Sequence, residues 1–333
     1  MTSTPGAVLS QRDILTELGM RDGLIPINLD LAQRRILWAD LTKYHCYHGF
    51  FHDALNSWAA IRGASLDTFT SSLDILESIR IPNSLAPTGF IFHAGRCGST
   101  LLAQVLARSR ENIVFGEAAP HNQIWNRPGG VDSIHGSSCQ TGAEAIVWNL
   151  FLAMGRRRLP SYRSHIVKFT SFNILRFRQI RAAFPGVPAL FLFREPGEML
   201  ESYFHSRPAW MGREQGIGVT PATPFAAVDA FFRAALSICD PDFRCLDYAR
   251  LTPESMPQIL TFLRLNPNSG EQKLMQSGFS WDAKSGSIPR PFVPRRGPPA
   301  SDSDGIGVPD TLRELYAKLT VWQPLSDSGP ADY

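Results

Sequence analysis

The residues best suited to chemistry in this chain form one run, His93-Ala94-Gly95-Arg96-Cys97-Gly98-Ser99-Thr100-Leu101-Leu102. It follows a short apolar stretch, Gly89-Phe90-Ile91-Phe92, and leads into a helix-forming one, Thr100 to Ala107. Small residues at a strand-to-helix turn let backbone N–H groups face inward, and a helix N-terminus adds unsatisfied donors and partial positive charge. The ligand that suits such a turn is an anion. Gly95, Arg96, Cys97, Gly98, Ser99 and Thr100 are therefore candidate binding residues. Arg96 brings a full positive charge, while Ser99 and Thr100 can cap the helix and donate hydroxyls to the same oxygens. A nucleoside-triphosphate loop would read G-x-x-x-x-G-K-[ST], and here Ser99 rather than lysine follows Gly98. A glycine-containing turn without a ligand would have the same composition.

Such a loop needs a sheet to hold it, and the sequence supplies the strands. Gly89–His93, Asn112–Phe115, His165–Phe169, Ala189–Phe193 and Phe243–Tyr248 are short apolar runs. Helical stretches separate them: Thr100–Ala107, Ala143–Met154, Asn173–Ala183, Pro196–Phe204 and Phe225–Ile238, with Pro253–Leu263 after the last. Ala189–Phe193 is uninterrupted and bounded by Pro188 and Arg194, as expected of a strand buried on both faces. The alternation implies an α/β fold, a three-layer P-loop-type parallel sheet flanked by helices, over residues 86–333. Residues 1–85 are expected to form a mainly helical N-terminal extension, in which Leu31, Ile36, Leu37 and Trp38 fall at mixed helical spacing between Leu29 and Leu41. Pro82 and Pro87 punctuate the junction. Ser277 to Val308 is rich in Gly, Pro and Ser and reads as a long loop, a kind of segment often functional in compact domains, before a last helix from Pro309 to Val321.

Composition narrows the class. The 333 residues are 44% hydrophobic and 19% charged, enough apolar surface for a large core. The net charge of +3 gives no global field that would argue for nucleic acid or a membrane surface as partner. No apolar run approaches the roughly 18 residues that a membrane span needs, and the N-terminus lacks the pattern of a secretory signal. Five scattered cysteines, an odd number, suit free thiols in a reducing compartment, the cytoplasm by default.

Gly-Arg-Cys-Gly-Ser-Thr at 95–100 resembles the 5′-phosphosulfate loop of sulfotransferases that use 3′-phosphoadenosine-5′-phosphosulfate (PAPS). That pattern is a basic residue, a small residue, glycine and two hydroxyl residues, met here by Arg96, Cys97, Gly98, Ser99 and Thr100. The family holds the cofactor 3′-phosphate with an Arg at a strand end and a Ser on the next helix; Arg194 and Ser202, eight residues apart, match. A forked guanidinium and a hydroxyl are sound phosphate ligands in their own right, although Arg194 would serve equally in a structural ion pair. A weaker similarity runs from Cys245-Leu246-Asp247-Tyr248 to the helix ending at Leu265, and residues 88–295 are covered in all.

The resemblance implies sulfuryl transfer to a hydroxyl or amine of a small-molecule or peptide acceptor, with PAPS as co-substrate and no metal. Where the cytosolic branch has Lys-x-His, this chain has Lys168-Phe169-Thr170, so that histidine base is missing. Another branch uses a Glu just after the second strand, and Glu117 stands there, 21 residues beyond Arg96. Glu117 is the expected base, with His121 as its substitute, and Lys168 is expected to stabilise the leaving oxygen or to form a salt bridge. One of Lys284, Arg290, Arg295 and Arg296 is implied as a loop contact to the 3′-phosphate. Two readings from other classes are an ATP-dependent phosphotransferase, which lacks its lysine here, and an inactive PAPS-binding protein.

Two further segments invite a role. His45, Cys46, His48 and His52 have spacing that one helical face could offer to zinc, but Tyr47, Phe50 and Phe51 among them favour aromatic packing. Phe204 to Thr220, with Trp210 and Met211, is expected to be a lid over the acceptor or a surface loop with a packed Trp.

Overall fold

The computed structural model describes residues 10–63, 65–125, 140–212, 214–215, 218–281 and 307–325. In chain order the extension contains α1 (Gln11–Met20), β1 (Leu24–Asp30), β2 (Arg35–Asp40), α2 (Phe51–Arg62), β3 (Thr68–Ser72) and α3 (Ile75–Ser78). Then follow β4 (Gly89–His93), α4 (Ser99–Ala107), β5 (Asn112–Gly116), α5 (Ala119–Gln123), α6 (Gln140–Met154), β6 (Ser164–Lys168) and α7 (Phe177–Ala183). The remainder is β7 (Ala189–Phe193), α8 (Pro196–His205), β8 (Glu214–Gln215), β9 (Gly218–Val219), α9 (Pro224–Leu236), β10 (Phe243–Asp247), α10 (Met256–Phe262), α11 (Ser269–Ser277) and α12 (Asp310–Val321).

Five strands form one parallel sheet in the order β10-β7-β4-β6-β5, the α/β architecture expected. Period-two alternation sends successive side chains to opposite faces, and each face has its own core. Phe90, Phe92, Val167, Phe169, Phe191 and Phe193 pack on one side with residues of α6, α7, α9 and α12. Ile91, Val114, Ile166, Leu190 and Leu192 pack on the other, with α4, α10 and α11. The sheet is buried on both faces, which is why its strands read as unbroken apolar runs.

The extension departs from expectation at Leu29 to Leu41, which is not a helix. β1 and β2 form an antiparallel hairpin, joined by β3 into a three-stranded sheet. Ile36 and Trp38 are fully buried two residues apart, a strand period. Asp30 Oδ1 accepts the Gln33 N–H at 2.9 Å, and Arg34 takes a left-handed φ of 50°, so a polar turn reverses the chain where a helix would have to continue.

The extension shares its core with the main sheet: Ile14, Leu24 and Trp38 belong to the same apolar cluster as Phe90 and Phe151. A buried arginine adds a polar tie. Arg156, just beyond α6, donates through Nη2 to the carbonyls of Leu18 (2.7 Å) and Arg21 (2.8 Å) and through Nε to that of Asp22 (3.3 Å). It thereby satisfies acceptors at the C-terminal end of α1, where carbonyls lack intrahelical partners. Arg156→Ala takes this donor from the Leu18 and Asp22 carbonyls and empties the site, so we expect a stability loss of about 2–4 kcal/mol in urea unfolding. An unchanged midpoint would show that water replaces the guanidinium without cost.

Candidate active site

The ends of β4, β5 and β6 meet at one edge of the sheet, and every charged group of interest lies there or on the neighbouring α8. The turn after β4 is built from left-handed residues: Gly95 and Gly98 have φ of 79° and Arg96 has φ of 54°. Consecutive left-handed residues curl the backbone so that its N–H groups converge. Among the described residues no backbone carbonyl takes the N–H of Arg96, Gly98, Thr100 or Leu101. At Gly98 a side chain is excluded twice over, by its φ and by the Tyr248 ring, whose carbons lie 2.4 and 2.5 Å from where a Cβ would sit.

Within this loop three details differ from expectation. The N-cap of α4 is Gly98, and neither Ser99 nor Thr100 makes a side-chain cap; both hydroxyls have no hydrogen bond among the described residues, as ligand donors would require. The Cys97 side chain turns into the core and its thiol lies 3.2 Å from the Leu192 carbonyl. Burial pushes that thiol up to about 12, so it is no reactive thiolate and only its backbone can serve the loop. Arg96 is half-buried, lies 5.7 Å from the Tyr203 ring centroid and donates to the Ser206 carbonyl.

Glu117 and Lys168 come together at the ends of β5 and β6. Lys168 Nζ donates directly to Glu117 Oε1, and the Glu117 N–H donates to the Lys168 carbonyl at 2.7 Å. Lys168 is fully buried, with the Phe50 ring centroid 4.8 Å from its ammonium. The Glu117 side chain is 24% exposed, so it is open to a reactant from one side. Its backbone has a left-handed φ of 53°, uncommon for a residue with a side chain and typical of strained functional positions. Burial pushes its carboxyl up, but the Lys168 ammonium and the His93 imidazole outweigh it and hold the group at about 2. The expected salt bridge of Lys168 is therefore present, and its partner is the expected base.

His121 does not suit the part of substitute base. Its ring is fully buried, 4.5 Å from Phe151 and 5.8 Å from His165 between centroids, and both nitrogens lack hydrogen-bond partners among the described residues. Burial, reinforced by His165, keeps it neutral well below the usual range. A sealed imidazole in an aromatic cluster cannot take a proton from a substrate.

Arg194 and Ser202 belong to the same edge. Arg194 follows β7 directly, pairs with Glu198 on α8 and stacks on Tyr248, 4.4 Å from the ring centroid. Ser202 lies one helical turn beyond Glu198, on the same face and partly exposed. The ion pair foreseen as the alternative use of Arg194 thus exists, and Ser202 stands beside it. Sequence reasoning assigned no site role to Tyr203, Tyr248, His93 or Phe50. Tyr203 Oη donates to the Ala94 carbonyl at 2.9 Å, which ties α8 to the loop, and the Tyr248 ring separates Gly98 from Arg194. Three of them had a sequence signal of another kind: His93 heads the loop run, Phe50 lies in the aromatic segment, and Tyr248 falls inside the similarity at 245–248, where a structural role was expected.

The histidine-rich segment does not converge on a metal. His45 bonds Tyr162 Oη (2.9 Å) and the Ala107 carbonyl (2.7 Å), His48 stacks on Tyr47, and His52 is exposed beside Asp53. Among the described residues no group of three His, Cys, Asp or Glu could hold a metal ion. Trp210 packs on Phe172 and Phe231, so it anchors its loop in the core. Lys284, Arg290, Arg295 and Arg296 lie outside the described residues. No described helix is long and apolar enough to cross a membrane.

No protein-family model matches this chain, and no curated protein matches it. Among solved structures it is similar to the sulfotransferase domain from the Synechococcus PCC 7002 olefin synthase, at 16% identity and a TM-score of 0.39. The match spans 77% of this chain and 94% of that one.

Proposed function

We propose that the chain is a PAPS-dependent sulfotransferase. The observation that carries the reading is the pairing of Glu117 with Lys168 at the strand ends beside an anion-binding turn that has no nucleotide-kinase lysine. The donor set suits the cofactor: loop N–H groups and two hydroxyls that have no hydrogen bond among the described residues, with Arg96, for the 5′-phosphosulfate, and Arg194 and Ser202 for the 3′-phosphate. When bound, PAPS supplies an electrophilic sulfur and the bisphosphate that departs from it.

The side chains of this chain then divide the work. The loop and Arg96 orient the transferring group and offset its charge. Glu117 takes the proton of the acceptor hydroxyl or amine as its oxygen or nitrogen bonds to sulfur. Lys168 stabilises the phosphate oxygen released as the other bond breaks. A carboxylate held at about 2 is a feeble base. Drawing the Lys168 ammonium toward the departing oxygen raises the basicity of Glu117 at the moment it is needed. The acceptor is a small molecule or peptide, and the four described cysteines are free thiols, which suits the cytoplasm.

Calorimetric titration of the desulfated product, 3′-phosphoadenosine-5′-phosphate (PAP), against adenosine 5′-phosphate tests the assignment. Hydrogen bonds to charged groups contribute roughly 1.5–3 kcal/mol each. Two of them should favour PAP by roughly 10²–10⁴ in Kd. Arg194→Ala should erase much of that preference, and magnesium should change little. Equal affinities, or tight ATP binding that needs magnesium, would sink the proposal.

A further inference from the structure

His93 ends β4, is 5% exposed, and touches three strand ends at once. The Gly95 N–H donates to its Nδ1 at 3.0 Å. Its Nε2 lies 2.9 Å from the Phe169 carbonyl, next to Lys168, and 3.5 Å from Glu117 Oε1. A backbone N–H can only donate, so Nδ1 is the acceptor and the imidazole proton sits on Nε2. That N–H then donates to Phe169 and faces the carboxylate. Burial, with Lys168 close by, lowers the pKa of the ring and keeps it neutral. A second proton on Nδ1 would confront the Gly95 N–H.

The two ring nitrogens thus serve two parts of the site. Nδ1 holds the first left-handed residue of the anion loop, and Nε2 reaches across the end of β6 to the base on β5. Both Arg96 and Glu117 adopt left-handed φ values that their own side chains disfavour, so something outside them must hold the turns. We infer that His93 is a positioning residue that fixes the anion loop and the Glu117 carboxylate relative to each other across the sheet edge. The inference rests on the sulfotransferase reading.

The two functions of the ring can be separated by amide variants. In His93→Asn the side-chain oxygen can stand near the place of Nδ1 and keep the Gly95 contact, but nothing reaches Phe169 and Glu117. In His93→Gln the terminal amide can stand near Nε2 and keep that contact, leaving Gly95 N–H unpaired. With PAP as probe in calorimetry, His93→Asn should bind within about 3-fold of wild type and His93→Gln should bind roughly 10-fold more weakly. With PAPS at saturation and water as acceptor, the order reverses: His93→Gln keeps its rate and His93→Asn loses roughly 10-fold. His93→Phe should lose both.

A role in packing alone would move both variants alike in both measurements, and that result would overturn the inference. Failure of the wild type to bind PAP would instead overturn the sulfotransferase reading. Should either variant not fold, the imidazole ¹⁵N shifts of the wild-type protein decide: a protonated Nε2 with a bare Nδ1 supports the linkage, and a protonated Nδ1 overturns it.

Discussion

Glu117→Gln is expected to slow sulfuryl transfer from PAPS by roughly 10²–10⁴, the usual worth of general base catalysis, while PAP affinity changes little. The amide keeps the shape of the carboxylate and removes its capacity to accept a proton. Neither Thr170 nor the two histidines near Glu117 is placed to take the role. Thr170 occupies the position where a histidine base is found in the resembling family, and its N–H is committed to Asn122 Oδ1. His121 is sealed beneath the sheet edge, and His93 has its acceptor nitrogen occupied by Gly95. The substitution also leaves the buried Lys168 without its counter-charge, so a loss of stability should accompany the loss of rate. Circular dichroism and the PAP titration separate the two: a folded variant that binds PAP normally and transfers slowly has lost the base. Release of PAP from PAPS, measured with water and with panels of alcohols, phenols and amines, gives the rate. Near-normal turnover would mean that the acceptor loses its proton to solvent.

How far the sequence reaches is clearest from particular residues. The strand-to-helix turn after β4 and the five parallel strands were legible because each depends on neighbours in sequence: small residues at a strand end, or an apolar run short enough to cross a sheet. Glu117 and Lys168 were legible as strand-end charges, but their direct contact was not, since 51 residues separate them and only the β5–β6 register brings them together. The β1–β2 hairpin was misread because Leu31, Ile36, Leu37 and Trp38 fit a helical face loosely. The decisive signals, Asp30 bracing the turn and the two-residue period of Ile36 and Trp38, are weaker than the apolar content around them. His121 looked like a base because it follows Glu117 closely, yet the first turn of α5 directs it into the core toward Phe151. Phe50, Tyr203 and Tyr248 act by contact through space, and their sequence surroundings do not tie them to the loop.

Lys168→Met tests whether the lysine governs the basicity of Glu117. In the wild type the carboxyl is held at about 2 against an ordinary 4.5, with burial opposing the shift and Lys168 the leading cause of it. A carboxyl whose folded pKa is depressed contributes stability that is fully present above the unfolded value and is lost as pH falls through the folded one. For Glu117 that window runs from about 4.5 down to about 2, and the contribution is on the order of 3 kcal/mol, reduced by solvent screening at its exposed edge. Methionine keeps the length and apolar stem of lysine beside Phe50 and removes the charge. Burial then acts on Glu117 with only His93 to oppose it, so its pKa should rise to the ordinary value or above, and the acid loss of stability should vanish or reverse. Urea unfolding should show the variant clearly less stable than wild type near pH 6, with the gap closing as pH approaches 3. Carbon-13 titration of the Glu117 carboxyl should show the rise directly. Transfer from PAPS should nonetheless fall by roughly 10²–10³, because the stronger base cannot replace the charge that stabilises the departing oxygen. A stability gap that stays constant from pH 6 to pH 3, or a variant that transfers as fast as wild type, would show that Lys168 neither depresses Glu117 nor acts on the leaving group.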